Sequence, residues 1–236
     1  MKTRISAFIL SSLLSVSLAA QDVRTAIKNV VQKGLEPAFF QGMALNVEVG
    51  SPLTYVLGSD ALNAEAGLRL NFRNHYFPLA ELGYAKYEMT HADTDIHYKT
   101  NAPYLRLGVD VNMLRDKLQS NRLMVGARLG YTNYKFDVDG PATTDPVWGD
   151  KQPLNLQGVS SNRLWLEVVF GLESEIFKHF HMGFSIRYKQ KLHENMPEMA
   201  VPYYVPGFGN GDNGFKATYN LFFDLSKKIK RAEPKE

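Results

Sequence analysis

The sequence has 236 residues, 44% of them hydrophobic and 22% charged, enough apolar content to exclude a disordered chain. It contains no cysteine, which excludes a disulfide framework, a zinc–cysteine site, an iron–sulfur cluster, a cysteine nucleophile and a lipid-anchored cysteine. Basic residues outnumber acidic ones by 27 to 24, and the excess falls to +1 once Lys2 and Arg4 leave with the leader, so no nucleic-acid partner is expected.

Residues 1–20 read as a cleaved signal peptide. Lys2 and Arg4 form a positive start, Ile5 to Leu18 an apolar run, and Ser17-Leu18-Ala19 a small-x-small cleavage site. The run is shorter than the ~20 residues a membrane helix needs, and nothing later in the chain approaches that length. An exported chain of this kind is either soluble beyond the membrane or spans one as a β-barrel. Residues 21–41 follow as an N-terminal periplasmic segment. Val23, Ile27, Val30 and Val31 fall at helical spacing there, with Gly34 as a stop.

Residues 42–226 alternate with period two, the signature of strands. Met43, Leu45, Val47 and Val49 oppose Asn46 and Glu48. Leu62 to Phe72 places Leu68 and Leu70 against Glu65, Gly67 and Arg69. Leu79 to Tyr87 is a less regular third run, containing Glu81 and Gly83. Leu105 to Met113 opposes Arg106, Gly108 and Asp110 to leucines and valines. Val125 to Tyr131 carries Gly126, Arg128 and Gly130 between apolar residues. Leu164 to Leu172 is interleaved with Trp165, Glu167, Gly171 and Glu173. Met182 to Tyr188 faces Gly183, Arg187 and Lys189, and Phe215 to Leu225 faces Lys216, Asn220 and Asp224. These are eight runs, each near the ~9–11 residues with which a tilted strand crosses a bilayer.

Their connections alternate in length. The short ones are 73–76, 114–122 and 177–180. The long ones are 51–60, 88–102, 137–161 and 191–214. Short turns on one side and long loops on the other are the pattern of outer-membrane barrels, with the short side periplasmic. The expected fold is therefore all-β: an eight-stranded antiparallel up-and-down transmembrane barrel. The polar network expected inside it comprises Glu48, Glu65, Arg69, Glu81, Arg106, Asp110, Arg128, Glu167, Glu173, Arg187, Lys189 and Asp224. Glycines among long charged groups suit the crowded inside of a small barrel better than a solvated outer face. The competing arrangement is a soluble lipocalin-like barrel with an apolar cavity. Two near-repeats, Leu82-Gly83-Tyr84-Ala85-Lys86-Tyr87 and Leu129-Gly130-Tyr131-Thr132-Asn133-Tyr134, suggest an outer aromatic girdle. Tyr76, Phe77, Phe177, Phe180 and Phe223 suggest an inner one.

The chain resembles the small outer-membrane β-barrels of the OmpA/OmpX type and, more narrowly, an uncharacterised barrel family of Bacteroides-like bacteria. The resemblance rests on Tyr76-Phe77-Pro78-Leu79-Ala80-Glu81-Leu82-Gly83-Tyr84, Leu105-Arg106-Leu107-Gly108-Val109-Asp110-Val111-Asn112 and Tyr219-Asn220-Leu221-Phe222-Phe223-Asp224-Leu225. It implies a fold and a location in the cell outer membrane, and no activity. Such barrels end at an aromatic residue that the assembly machinery reads. Here a basic tail, residues 227–236, follows, which points to an internal assembly signal.

No chemistry is expected of this chain and no cofactor. His91, Asp93, Asp95 and His97 alternate, but neighbours two apart on a strand lie roughly 6.5–7 Å apart, too far for one metal unless the segment folds back. Pro206 to Gly214 is glycine-rich yet lacks the lysine and helix of a phosphate loop. His91, His97 and His193 with Ser51, Ser59 and Ser161 are the candidates for a lipid-modifying enzyme, and no spacing joins any two as base and nucleophile. The expected partners are outer-membrane lipid and lipopolysaccharide, and an extracellular ligand taken through 88–102, 137–161 and 191–214, whose Tyr203, Tyr204 and Phe208 would form an adhesive patch. The chain is expected to act as a monomer and not to conduct.

Overall fold

A computed structural model describes residues 37–144, 151–197 and 201–225. The leader, most of 21–41 and the basic tail lie outside the described residues. Among the described residues the elements are β1 (Phe40–Glu48), helix α1 (Gly50–Val56), β2 (Ala61–Phe72), β3 (Tyr76–Thr90), β4 (His97–Asn112), β5 (Arg122–Thr144), β6 (Lys151–Phe177), β7 (Phe180–Asn195) and β8 (Asn213–Asp224). Each strand pairs antiparallel with the next, and β8 returns to β1 through Ala44↔Asp224 to Glu48↔Asn220, closing a barrel. No helix among the described residues is long and apolar enough to cross a membrane.

The end that carries both barrel termini is closed by tight turns. Arg73 and Asn74 adopt φ of 54° and 49°, and His179 adopts 70°, left-handed positions that asparagine tolerates better than most residues. Asn74 is buried and ties this end together. It donates through Nδ2 to the carbonyls of Lys117 (2.8 Å) and Gln119 (2.9 Å) in the β4–β5 connection, and its Oδ1 accepts from Arg122 Nε (2.9 Å).

The other end differs from the sequence expectation. Segments 88–102 and 137–161 are mostly strand: β3 runs to Thr90, β4 starts at His97, and β5 and β6 extend far beyond the apolar runs. Segment 51–60 contains a helix. The reason for the missed strands is a reversal of polarity along the barrel axis. At the waist the apolar residues point outward, as with Leu105 and Leu107, while Arg106 and Asp110 point in. Nearer the far end the inward residues become aromatic and the outward ones polar. Tyr98, Thr100, Ala102, Tyr134 and Phe136 are buried, while Lys99, Asn101, Asn133 and Lys135 face out. A search for outward apolar alternation stops where the pattern reverses, although the strands continue.

The same reversal corrects the aromatic girdle. In each near-repeat the first tyrosine, Tyr84 or Tyr131, is exposed; the second, Tyr87 or Tyr134, lies three residues on and therefore points inside. Phe77 is also inside. Tyr76, Phe177 and Phe223 remain exposed, with Phe180 5.1 Å from Phe223 and 6.3 Å from Phe177 between ring centres.

Candidate functional site: the charged interior and the plugged mouth

Neighbouring strands contribute unlike sizes to the barrel interior. Gly83 lies across from Tyr104, Gly130 across from Trp165, Gly108 across from Arg128 and Gly126 across from Asp110. A Cβ at Gly83 or Gly130 would fall inside the facing aromatic ring. Glycine is needed at these positions because a large side chain from the neighbouring strand lies flat against the wall there.

These spaces let the charged side chains interdigitate. Of the twelve polar residues expected inside, eleven are buried, and Asp224 is half-buried at the tight-turn end. All but Glu48, which accepts the Ser51 N–H at 2.9 Å, fall into two groups. At the waist, Arg106 contacts Glu65, reaches Glu167 at 3.2 Å and Glu81 at 3.5 Å. Arg187 lies 3.5 Å from both Glu65 and Glu81, Arg128 bonds Asp110 at 3.0 Å and approaches Glu81 at 3.6 Å, and Lys189 lies 3.7 Å from Glu167. Glu167 also accepts the Trp165 indole N–H at 2.7 Å. Toward the tight-turn end, Arg69 holds Glu173 with two bonds of 2.7 and 2.9 Å, the fork geometry that guanidinium favours. Arg122 contacts the same carboxylate, and His181 lies between Glu173 (3.5 Å) and Asp224 (3.0 Å). The Arg69 guanidinium sits over Phe222 (4.2 Å) and Phe77 (5.0 Å). A void of about 30 Å³ remains among Arg69, Glu81, Arg128, Glu173 and Arg187, enough for roughly one or two waters.

Several interior residues were missing from the sequence expectation. Arg122 closes the expected 114–122 connection, yet it shares the parity of Arg128 and lies on the same inward face. Arg163 and Lys216 alternate correctly with their neighbours. Only their position near the polar end distinguished them from the network, which sequence alternation does not report. Arg163 bonds Glu194 at 2.6 Å.

The far mouth is closed by the β7–β8 connection. Within segment 191–214, residues 202–208 do not project but fold into the barrel, and they are buried apart from Tyr203. Val205 and Gly209 bond each other in both directions (2.9 and 2.8 Å), forming a tight turn with Gly207 at φ 78° against the Tyr104 ring. Tyr204 stacks on Tyr87 at 4.5 Å with 7° between planes, and its hydroxyl pairs with the Asn63 amide (3.0 and 3.2 Å). Burial pushes the Tyr204 phenol up to about 12. Phe208 meets Trp165 edge-on at 5.8 Å, beneath the Arg163 guanidinium at 4.7 Å. The plug is fastened by polar bonds from the wall to its carbonyls: Tyr98 to Tyr204 O (2.8 Å), Lys189 to Gly207 O (2.5 Å) and Phe208 O (3.1 Å), and Arg163 to Gly211 O (2.6 Å). At its far end Lys191 bonds Asp212 (2.5 Å) and holds that carboxyl below its usual range. Of the aromatics expected to form an adhesive patch, Tyr204 and Phe208 are therefore spent on closing the mouth.

The candidate metal and catalytic residues are dispersed. His91 to Ile96 is a turn closed by His91 N–H to Ile96 O at 2.9 Å, and His97 opens β4, where it contacts Thr90 (3.0 Å) and Glu88 (3.7 Å). No group of three or more potential ligands gathers among the described residues. The Ser51 and Ser59 hydroxyls accept the backbone N–H groups of Asn63 and Ala61, and Ser161 donates to Asn195 O. His193 sits across from Leu164 on β7. None of these serines bonds a histidine among the described residues.

Among solved structures, the chain is similar to the crystal structure of neisserial surface protein A, with 11% identity, 78% of this chain and 94% of that chain covered, and a TM-score of 0.32. No curated protein matches the sequence. The family model described as "Domain of unknown function (DUF6048)" matches residues 1–227, and the chain belongs to that family.

Proposed function

We propose that the protein is an exported, monomeric outer-membrane β-barrel of structural or surface-interaction type, without catalytic activity or cofactor. The observation that carries this reading is the polarity of the barrel waist. Leu45, Leu68, Leu82, Leu107, Val125, Val168, Phe170 and Ile186 face outward on successive strands, while the charges face in. A soluble barrel needs the opposite. On β4 the outward apolar stretch from Pro103 to Met113 rises about 25 Å at ~3.3 Å per residue and a ~40° tilt, which matches the apolar band of an outer-membrane barrel. On this reading the tight-turn end is periplasmic, and the long β5–β6 hairpin and the plugged mouth face outward among lipopolysaccharide and extracellular ligands. A relationship to barrels of the OmpA/OmpX type and to an uncharacterised family of Bacteroides-like bacteria is part of the same reading.

The test is the gel mobility of the protein from outer-membrane fractions, loaded cold or boiled in SDS. A shift on boiling is expected. Release by osmotic shock without detergent, with no shift, would overturn the reading in favour of a soluble carrier.

A further inference from the structure

Helix α1, the plug and strands β2, β7 and β8 enclose a cleft of about 380 Å³ at the mouth, within the ~300–1,000 Å³ of small-ligand sites. One glycine in its wall differs from the others. Gly83, Gly108, Gly126 and Gly130 each make room for a large neighbour. Gly214 lies on the inward face of β8 across from Lys189, and a Cβ there would meet no atom within 4 Å. Its φ is not left-handed. Neither packing nor backbone conformation requires glycine at this position, and the effect of the missing side chain is to keep the cleft open.

The charged residues that line the cleft, Lys189 and Lys216, are positive, and the nearest carboxylates, Glu65 and the Glu48 that accepts the Ser51 N–H at 2.9 Å, are buried. Lys216 stands two residues further along the same inward face, and its side chain is 25% exposed. Its ammonium lies 3.7 Å from Glu65, outside hydrogen-bond range, and donates no hydrogen bond among the described residues. Glu65 is only 2% exposed and is held by Arg106 and Arg187. Two of the three Lys189 N–H groups donate to the plug carbonyls, and the ammonium also faces Glu167 at 3.7 Å. A molecule entering the cleft therefore meets one under-used ammonium, the neutral groups of Ser51, Thr54, Ser59 and Asn63, and no accessible carboxylate among the lining residues.

We infer that this cleft binds a small hydroxylated organic anion, a sugar acid or sugar phosphate, with the anionic group on Lys216 and the hydroxyls on Ser51 and Ser59. Only the statement that the site faces the cell exterior rests on the outer-membrane reading; the binding chemistry does not.

The experiment is calorimetric titration of the full chain, folded in detergent micelles, with glucuronate, glucose 6-phosphate, inorganic phosphate and glucose. Folding is checked beforehand by the cold-SDS mobility shift. One-to-one binding of glucuronate or glucose 6-phosphate with Kd below about 1 mM is expected, and which of the two binds identifies the anionic group. Glucose and inorganic phosphate should bind at least about tenfold more weakly, a difference of roughly 1.4 kcal/mol. Lys216→Gln and Gly214→Leu should each weaken binding by a similar factor. Gly214→Leu projects into the cleft from a position where a Cβ meets no atom within 4 Å, so its mobility shift should be unchanged; it carries the test if Lys216→Gln does not fold. Four outcomes overturn the inference: no saturation by either hydroxylated anion, equal binding of glucose, equal binding of inorganic phosphate, or indifference to Gly214→Leu. A folded barrel that binds nothing refutes this site and leaves the outer-membrane reading standing, whereas a soluble chain that binds refutes that reading alone.

Discussion

Arg106 shows why single residues matter in this interior. It is fully buried and meets Glu65, Glu81 and Glu167. Replacing it by methionine leaves three carboxylates short of a counter-charge, and removing one partner of a buried ion pair costs about 3–5 kcal/mol. Urea unfolding should show that loss, or the cold-SDS band should vanish. The Arg69–Glu173 pair permits a sharper comparison: Arg69→Met with Glu173→Leu should cost less than the sum of the two single changes, because neither charge is then left alone. Arg122 and His181 also contact Glu173, so the double variant will not be neutral. A steric counterpart is Gly83→Ala, whose methyl enters the Tyr104 ring. Overpacking of this kind costs about 1–3 kcal/mol, and the cost should shrink in a Tyr104→Ala background, as measured by the same unfolding midpoints.

At the scale of a strand, β4 crosses both environments and can be probed along its length. Leu107 faces out at the waist and Asn101 faces out above it. If the waist lies in lipid, Leu107→Arg should destabilise the barrel by about 2–4 kcal/mol and Asn101→Arg by about 0–1 kcal/mol. Equal costs at both positions would argue against a bilayer around the waist. The same strand shows what the sequence could and could not report. Leu105 to Met113 was legible because outward residues are apolar and inward ones charged, a contrast that period two makes visible. His97 to Tyr104 was not, because its inward tyrosines and outward lysine and asparagine read as a polar loop. Eleven buried charges, at the waist and toward both ends, were readable from parity alone. The plug was hidden, because its aromatics follow no period and their partners lie far away in sequence: Tyr204 bonds Asn63 and Tyr98, 141 and 106 residues distant.

For the molecule as a whole, the filled waist and the plugged mouth obstruct the axis independently. Replacing 202–208 by a glycine–serine linker should open the mouth but produce no ion conductance in planar bilayers, because the paired charges and a void of about 30 Å³ still block the waist. A conducting variant would show that the charge network yields once the plug is gone. The plug is carried between β7 and β8, while the surfaces its aromatics pack against belong to β2, β3, β4 and β6. Its aromatics can find those surfaces only after the chain has nearly circled back on itself, so the mouth is stoppered after the vessel is made. Contacts that form after the rate-limiting step affect the unfolding rate and not the folding rate. Tyr204→Ala or Phe208→Ala should therefore leave the rate of barrel formation almost unchanged and shorten the lifetime of the finished barrel.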